Sequence, residues 1–243
     1  MNLRQGTYKL HRWLGLVVAL QLLAWSLGGL YFTLFDIDEI RGTADAVEER
    51  PVPVALPELL ADAGAVARLA GQEVLAAALT TRRGRTVWEL QGVNGRPLVL
   101  ADPDTGDLIA PVDSSEAERI ALADFLHPAR VGDVVWIEAD PPVEFRGGRL
   151  PVWQVVLDHP KKVSLYIDPV NGEVLARRSR KWRIFDFFWM LHIMDYGERE
   201  DFNHPLLTAA ATLAVLSALS GILLWGYRLF RPRRRPDRPR RDG

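Results

Sequence analysis

The chain of 243 residues contains no cysteine. That absence excludes a disulfide framework, thiolate zinc sites, iron–sulfur clusters and cysteine nucleophiles, while leaving the compartment open, because many exported proteins manage without disulfides. A redox role would need a cofactor held by other side chains. Also missing are a G-x-S-x-G elbow, an H-E-x-x-H zinc helix and a glycine-rich phosphate loop. Acidic residues are many, but no spacing among them separates a catalytic pair from a solvated surface. These absences point away from an autonomous enzyme. The length allows a sizeable core, so stability demands neither metal nor disulfide.

Net charge is also nearly missing, at −1, but the balance hides a segregation. Residues 1–12 carry Arg4, Lys9 and Arg12 with no acid, and residues 228–243 carry eight arginines against Asp237 and Asp242. The middle is left with 19 basic against 29 acidic side chains. Basic ends and an acidic centre are topological information.

From Trp13 to Phe35 no residue is charged, and at 1.5 Å per residue the run spans a hydrocarbon core of about 30 Å. A cleaved signal peptide is the competing reading, since Ala44-Asp45-Ala46 has an A-x-A form, but signal cores run about 7–15 residues and this site lies well past the run. A membrane anchor is expected. A second uncharged run extends from Pro205 to Tyr227, with Trp225 and Tyr227 near its end, where amphipathic rings prefer the interface. Arg4, Lys9 and Arg12 hold the first end in the cytoplasm, and Arg228, Arg231 and Arg233 to Arg235 hold the second there. The arginine tail is read as a topogenic stop signal in preference to a nucleic-acid arm or an anionic-lipid patch. Small residues recur at helical spacing, as Ala210, Ala214 and Ala218 with Ser217 and Gly221, and as Gly28 and Gly29, a pattern that lets helix backbones approach. Gln21, polar in mid-run, is expected to find a partner inside the helix bundle.

Between the runs lies a repeat. Asp102-Pro103-Asp104-Thr105-Gly106-Asp107-Leu108 recurs as Asp168-Pro169-Val170-Asn171-Gly172-Glu173-Val174, and Val87-Trp88-Glu89-Leu90 is echoed by Val152-Trp153-Gln154-Val155. Each D-P-x-x-G reads as a turn, with proline setting φ at the first corner and glycine taking the φ > 0 position. Each unit opens with a helix: Leu59, Leu60, Ala63, Val66, Ala67 and Ala70 behind Pro57, then Ile120, Leu122, Ala123 and Leu126 behind Ser115-Glu116-Ala117-Glu118, which has capping-box form. The expectation is two equivalent units, each a helix on an antiparallel sheet of three or four strands, with Trp88 and Trp153 in the helix–sheet contact. The aromatic stretch from Trp182 to Tyr196 is too short to span and suits an interfacial helix on the outer leaflet.

These features together resemble the PepSY-associated transmembrane family. The resemblance rests on Leu10-His11-Arg12-Trp13-Leu14-Gly15-Leu16, the two units with their D-P-x-x-G-[DE] hairpins, Trp189-Met190-Leu191-His192 and Gly221-Ile222-Leu223-Leu224-Trp225. It implies an α+β fold: two transmembrane helices flanking an extracytoplasmic tandem PepSY-like helix-plus-antiparallel-sheet domain. The expected order is a cytoplasmic N-terminus (1–12), first transmembrane helix (13–35), first PepSY-like unit (36–112), second PepSY-like unit (113–181), interfacial aromatic helix and turn (182–204), second transmembrane helix (205–227) and basic cytoplasmic tail (228–243). Family resemblance implies an inner-membrane protein displaying PepSY modules in the periplasm. Some larger relatives are linked to iron uptake as haem-containing reductases of ferric siderophores; other PepSY modules are thought to bind or restrain peptidases.

The five histidines decide whether haem b, the one cofactor the resemblance raises, has ligands. His11 stands at the cytoplasmic end of the first run, and His192 and His204 at the opposite side, about one bilayer thickness (roughly 30 Å) away. His11 therefore cannot share an iron with either. His192 is the foremost candidate, with His204 or a second protomer as partner; otherwise His192 pairs with Asp195 one helical turn on. His127, His159 and His204 each precede proline and show no ligand spacing. The functional expectation is an inner-membrane-anchored, non-catalytic periplasmic binding or accessory module, in iron or envelope homeostasis. The alternative is haem-dependent electron transfer as a dimer or subunit. Expected partners are the lipid bilayer, a periplasmic protein or peptide and a second copy in a homodimer, with no nucleic acid.

Overall fold

The computed structural model describes residues 3–48, 54, 61–71, 73–93 and 95–229. Leu59 and Leu60 of the expected first helix, and the tail beyond Leu229, lie outside the described residues. The chain divides into two compact units, a sheet unit of Phe32–Asp186 and a helical unit of Met1–Tyr31 with Phe187–Gly243.

In the sheet unit, strands β1 (Val74–Arg82), β2 (Arg85–Gly92), β3 (Pro97–Ala101) and β4 (Leu108–Ile109) form one antiparallel sheet in sequential order. With α1 (Leu3–Leu34) and α2 (Ile37–Arg41) preceding it, α3 (Ala63–Ala70) covers this sheet. Its start is fixed by Asp62, whose carboxylate accepts the Gly64 N–H at 2.9 Å. Ala63, Val66, Ala67 and Ala70 share one helical face, and they pack on Trp88, Leu90 and Ala101 of the sheet.

The second half repeats the order. Helix α4 (Ser114–Asp124) precedes β5 (Arg130–Ile137), β6 (Val152–Asp158), β7 (Ser164–Ile167) and β8 (Val174–Arg178), again antiparallel and sequential. Ala117, Ala121 and Phe125 meet Val155, Leu157, Leu165 and Ile167 in the largest core. Period-2 alternation sends Tyr166 to the opposite face, where it stacks on Phe145 at 4.3 Å. All four residues of β7 are therefore buried, two on each face. Trp88 is buried, and Trp153 packs beside the α4 core while donating its indole N–H to the Val112 carbonyl at 2.9 Å.

Both D-P-x-x-G turns close as their residue types require. Asp102 accepts the N–H groups of Asp104 and Thr105 at 2.9 and 3.1 Å, and Asp168 accepts those of Val170 and Asn171 at 2.8 and 3.4 Å. Gly106 and Gly172 take φ of 79° and 76°.

Three expectations need correcting. The cap of α4 is Asp113, whose carboxylate accepts the Glu116 N–H at 2.7 Å, so the box begins two residues before Ser115. Aspartate there accepts the orphan N–H as well as serine does, and Glu116 turns its carboxylate to Arg83 at 2.9 Å.

Residues 36–48, expected with the first unit, pack on the second. Ala46 bridges Phe125, the Val47 N–H donates to the Asp124 carbonyl, and the Leu126 N–H donates to that of Asp45. Arg177 of β8 forms a bidentate pair with Asp124, and Gly42, at φ 78°, passes so close to Arg177 that a Cβ there would stand 2.9 Å from its Cβ. This strap is held by backbone bonds and ion pairs, which leave no apolar period in the sequence.

The aromatic helix also differs. It is α5, running Arg180–Ile193 instead of Trp182 to Tyr196, and Met194 ends it at φ 57°. Its first turns belong to the sheet unit: Trp182 lies under Arg178 at 4.3 Å, and buried Asp186 pairs with Arg146 at 2.6 Å. From Phe187 it belongs to the helical unit, where it packs on α1. There Phe188 sits 5.4 Å from the Tyr31 ring and against Gly28, Gln21 donates to the Leu191 carbonyl at 3.2 Å, and the Trp25 indole donates to that of His192 at 2.9 Å. Gln21 thus has its partner, and Gly28 makes room for a phenylalanine of the same chain. Helix α6 (Pro205–Leu229) completes this unit. Two stretches are long and apolar enough to cross a membrane, Arg12–Leu34 and Pro205–Ile222, within a residue of the expected runs at three of their four ends.

Candidate functional site

The three histidines expected near the membrane all fall in the helical unit. His11 lies in α1 fourteen residues before Trp25, about 21 Å of helix. His192 is exposed near the end of α5, its ring 5.9 Å from that of Trp25 and 6.3 Å from that of Trp189. His204 points elsewhere: Nε2 donates to the Ile193 carbonyl at 2.8 Å, and Nδ1 receives the Leu207 N–H at 3.4 Å at the start of α6. An axial haem ligand needs a free lone pair facing an apolar pocket. His204 spends both nitrogens on the backbone, so these residues do not fit a shared iron within one chain. Asp195 accepts the backbone N–H groups of Gly197, Glu200 and Asp201, shaping the loop between α5 and α6.

The polar chemistry that the sequence did not disclose lies in the sheet unit. His127, after α4, and His159, in the β6–β7 turn, stack with ring centroids 5.8 Å apart and an 11° interplanar angle, with Phe125 edge-on to both. Asp45 of the strap receives Lys161 at 2.5 Å and His127 Nε2 at 2.9 Å. Partial burial alone would raise the Asp45 carboxyl, but hydrogen bonds from Lys161 and His127 outweigh it and hold the group below its ordinary range. The Lys161 N–H donates to His159 Nδ1 at 3.2 Å, which leaves the ring proton on Nε2.

Beside this cluster, on the sheet face opposite α4, is a cavity of about 640 Å³ whose walls include Val156, Asp158, His159, Lys162, Ser164 and Arg183. Arg183 is fixed from behind: it pairs with Glu144 at 2.6 and 3.0 Å, and donates to Ser164 Oγ at 3.0 Å. Glu144 also accepts the Tyr166 hydroxyl at 2.8 Å. Burial, then the hydrogen bond to Glu144 and its charge, raise the Tyr166 phenol well above its ordinary range, so it serves as a fixed donor and not as a base. The cavity combines apolar walls with cationic side chains, neutral polar groups and the Asp158 carboxylate, suited to a polar group carried on an apolar body. Among the described residues no group of three histidines or carboxylates is arranged to hold a metal ion.

Spacing could not have revealed this site. His127 and His159 are brought together by the antiparallel path of β5, β6 and β7, and Asp45 reaches them through a strap whose sequence has no period. The repeated His-Pro pair was the one visible signal, and it indicates turn geometry alone.

A family model described as a PepSY-associated TM region matches residues 8–242. No curated protein and no solved structure matches the chain. The matched span takes in both apolar helices and everything between them, and the chain belongs to the PepSY-associated transmembrane family.

Proposed function

We propose that this protein is a non-catalytic binding or accessory module, anchored in the inner membrane by α1 and α6 with both termini cytoplasmic and the sheet unit in the periplasm. The two helix-plus-sheet halves are tandem PepSY-like units derived from an internal repeat, a reading supported by their matching strand order and by D-P-x-x-G turns at equivalent places. The module engages a protein or peptide outside the cytoplasm, in iron or envelope homeostasis. The observation that carries this reading is the order along the chain, in which the sheet unit falls between two membrane-length apolar stretches whose outer flanks are basic, with the cavity at Arg183 on one of its sheets.

Two measurements test it. A reporter active only outside the cytoplasm should work when inserted after Val93 in the β2–β3 connection and fail at either terminus; activity at a terminus refutes the topology. Full-length protein in nanodiscs, carrying a photo-crosslinker at Lys162, should capture a partner that competes with an unlabelled copy. Labelling unaffected by competition would refute the binding role of the cavity.

A further inference from the structure

We infer that β1 is the edge along which two copies of this chain pair, backbone to backbone, into one continuous sheet. The two four-stranded sheets have four edges, β1, β4, β5 and β8, and three of them are guarded. β4 is only two residues long. β8 carries Arg177 and Arg178, and the strap at Gly42 lies against Arg177. β5 carries Arg130 and Asp133 and breaks its register between Val131 and Asp133. Short strands, charges, bulges and covering segments are the devices that keep a sheet edge from pairing with other chains. β1 stands where β5 stands in the second half, yet its only register break is at its start, between Val74 and Ala76. The eight residues from Val74 to Thr81 include neither a charge nor a proline, and Leu75 to Ala78 are exposed.

The backbone along this edge is open as well. Arg83 and Gly84, at φ 53° and 75°, make a two-residue hairpin turn, so Arg82 and Arg85 exchange backbone bonds. Alternation then turns Thr80, Ala78 and Ala76 toward their β2 partners Val87, Glu89 and Gln91, and turns the N–H and C=O groups of Ala77, Leu79 and Thr81 outward. The Arg82 guanidinium reaches the Thr81 carbonyl at 3.5 Å. Among the described residues nothing bonds to the outward groups of Ala77 and Leu79. Another extended chain satisfies such a row in register.

A second copy fits the charge as well as the backbone. Two β1 strands related by a two-fold axis run antiparallel. Centred on Ala78, the pairing sets Ala77 opposite Leu79 twice, for about four backbone hydrogen bonds, and sets Ala78 opposite itself at a non-hydrogen-bonded position. It also brings exposed Glu73 of each copy beside the part-exposed Arg82 of the other, so opposite charges meet at both ends of an uncharged strand. Two sheets of four strands become one of eight, an ordinary size.

The native chain has no cysteine, so single thiols read this contact directly. Ala76→Cys, Ala78→Cys and Thr80→Cys are oxidised mildly in full-length protein in native membranes, with Leu122→Cys on exposed α4 as the collision control. At the two-fold position Ala78 meets its own copy with Cα atoms about 4.5 Å apart, within disulfide reach, whereas Ala76 meets Thr80. Disulfide-linked homodimer should form several-fold more from Ala78→Cys than from the other three. A yield there no higher than at Leu122, equal yields at 76, 78 and 80, or a link to a different protein in place of the homodimer overturns the pairing. Ala77→Pro added to Ala78→Cys removes an outward N–H and spares the β2 ladder, so it should cut the link several-fold while melting with its parent. Ala78→Lys removes no backbone bond and sets two ammonium groups face to face. Light scattering in mild detergent should find it at half the protein mass of wild type, and equal masses overturn the pairing even where the proline variant does not fold. These readings hold whichever side of the membrane the sheet unit occupies, so a failed topology leaves them intact.

Discussion

Arg83 pairs with Glu116 at 2.9 Å, and so joins the β1–β2 turn of the first sheet to the first turn of α4. The same guanidinium donates to the carbonyls of Ala110 and Val170 at 3.2 and 3.1 Å, the latter inside the second D-P-x-x-G turn. Its side chain is 9% exposed, so this is an ion pair largely out of water. Nearby, buried Glu89 binds Arg82 at 2.6 Å.

Arg83→Ala should therefore lower the stability of the sheet unit by about 2–4 kcal/mol, because it leaves Glu116 and two carbonyls without their donor. Arg83→Lys should restore little, since a single ammonium does not reproduce the fork. Thermal unfolding of detergent-solubilised protein reads both, and a loss under half a kcal/mol for the alanine variant would contradict this account.

Asp45 makes a prediction about acid. Its folded carboxyl titrates below the ordinary value of 3.8, so its stabilising effect is present above that pH and fades as pH falls through the lower folded value. Asp45→Asn should melt below wild type at neutral pH, and the two curves should converge as pH falls below the folded value. A gap that stays unchanged through the acid limb, down to where the carboxyl is protonated, would show that the charge is not what matters.

Gly42 should tolerate alanine poorly. Both its left-handed backbone and the Arg177 Cβ oppose a methyl group, so Gly42→Ala should cost about 1–3 kcal/mol and loosen the Arg177–Asp124 pair. Gly71, also left-handed but with open space around it, is the control and should lose less. Equal losses would mean that backbone conformation alone is at issue.

His204→Ala should weaken the start of α6 by about 1 kcal/mol, the loss of a helix cap, and should leave the visible absorption spectrum unchanged after expression with excess haem. A Soret band present in wild type and lost in the variant would reverse the assignment of its ring nitrogens.

Much of the architecture was legible because it rests on local rules. Two uncharged runs gave the apolar helices, and the D-P-x-x-G pairs gave hairpins whose glycines take the expected positive φ. Trp88 was placed correctly since an alternating strand must bury one face. What stayed hidden depends on contacts far apart in the chain. No period announces that Asp45 meets Lys161, 116 residues on, or that Arg183 reaches Glu144 and Ser164 to close one side of a cavity. Asp113 was overlooked as a cap because Ser115 offered a closer match to the capping-box pattern. The contacts that Phe185 and Phe188 of the aromatic stretch make with Phe32 and Tyr31 of α1 join segments far apart in the chain, and no local pattern announces them.

The strap from Gly42 to Val47 also determines how mechanical load travels. Chain leaving the end of α1 fastens to Arg177, Asp124 and Phe125, and chain leaving β8 enters α5 directly. Tension on either apolar helix is thus borne by the second sheet, and the first sheet, joined to it through Arg83, stays outside the line of force.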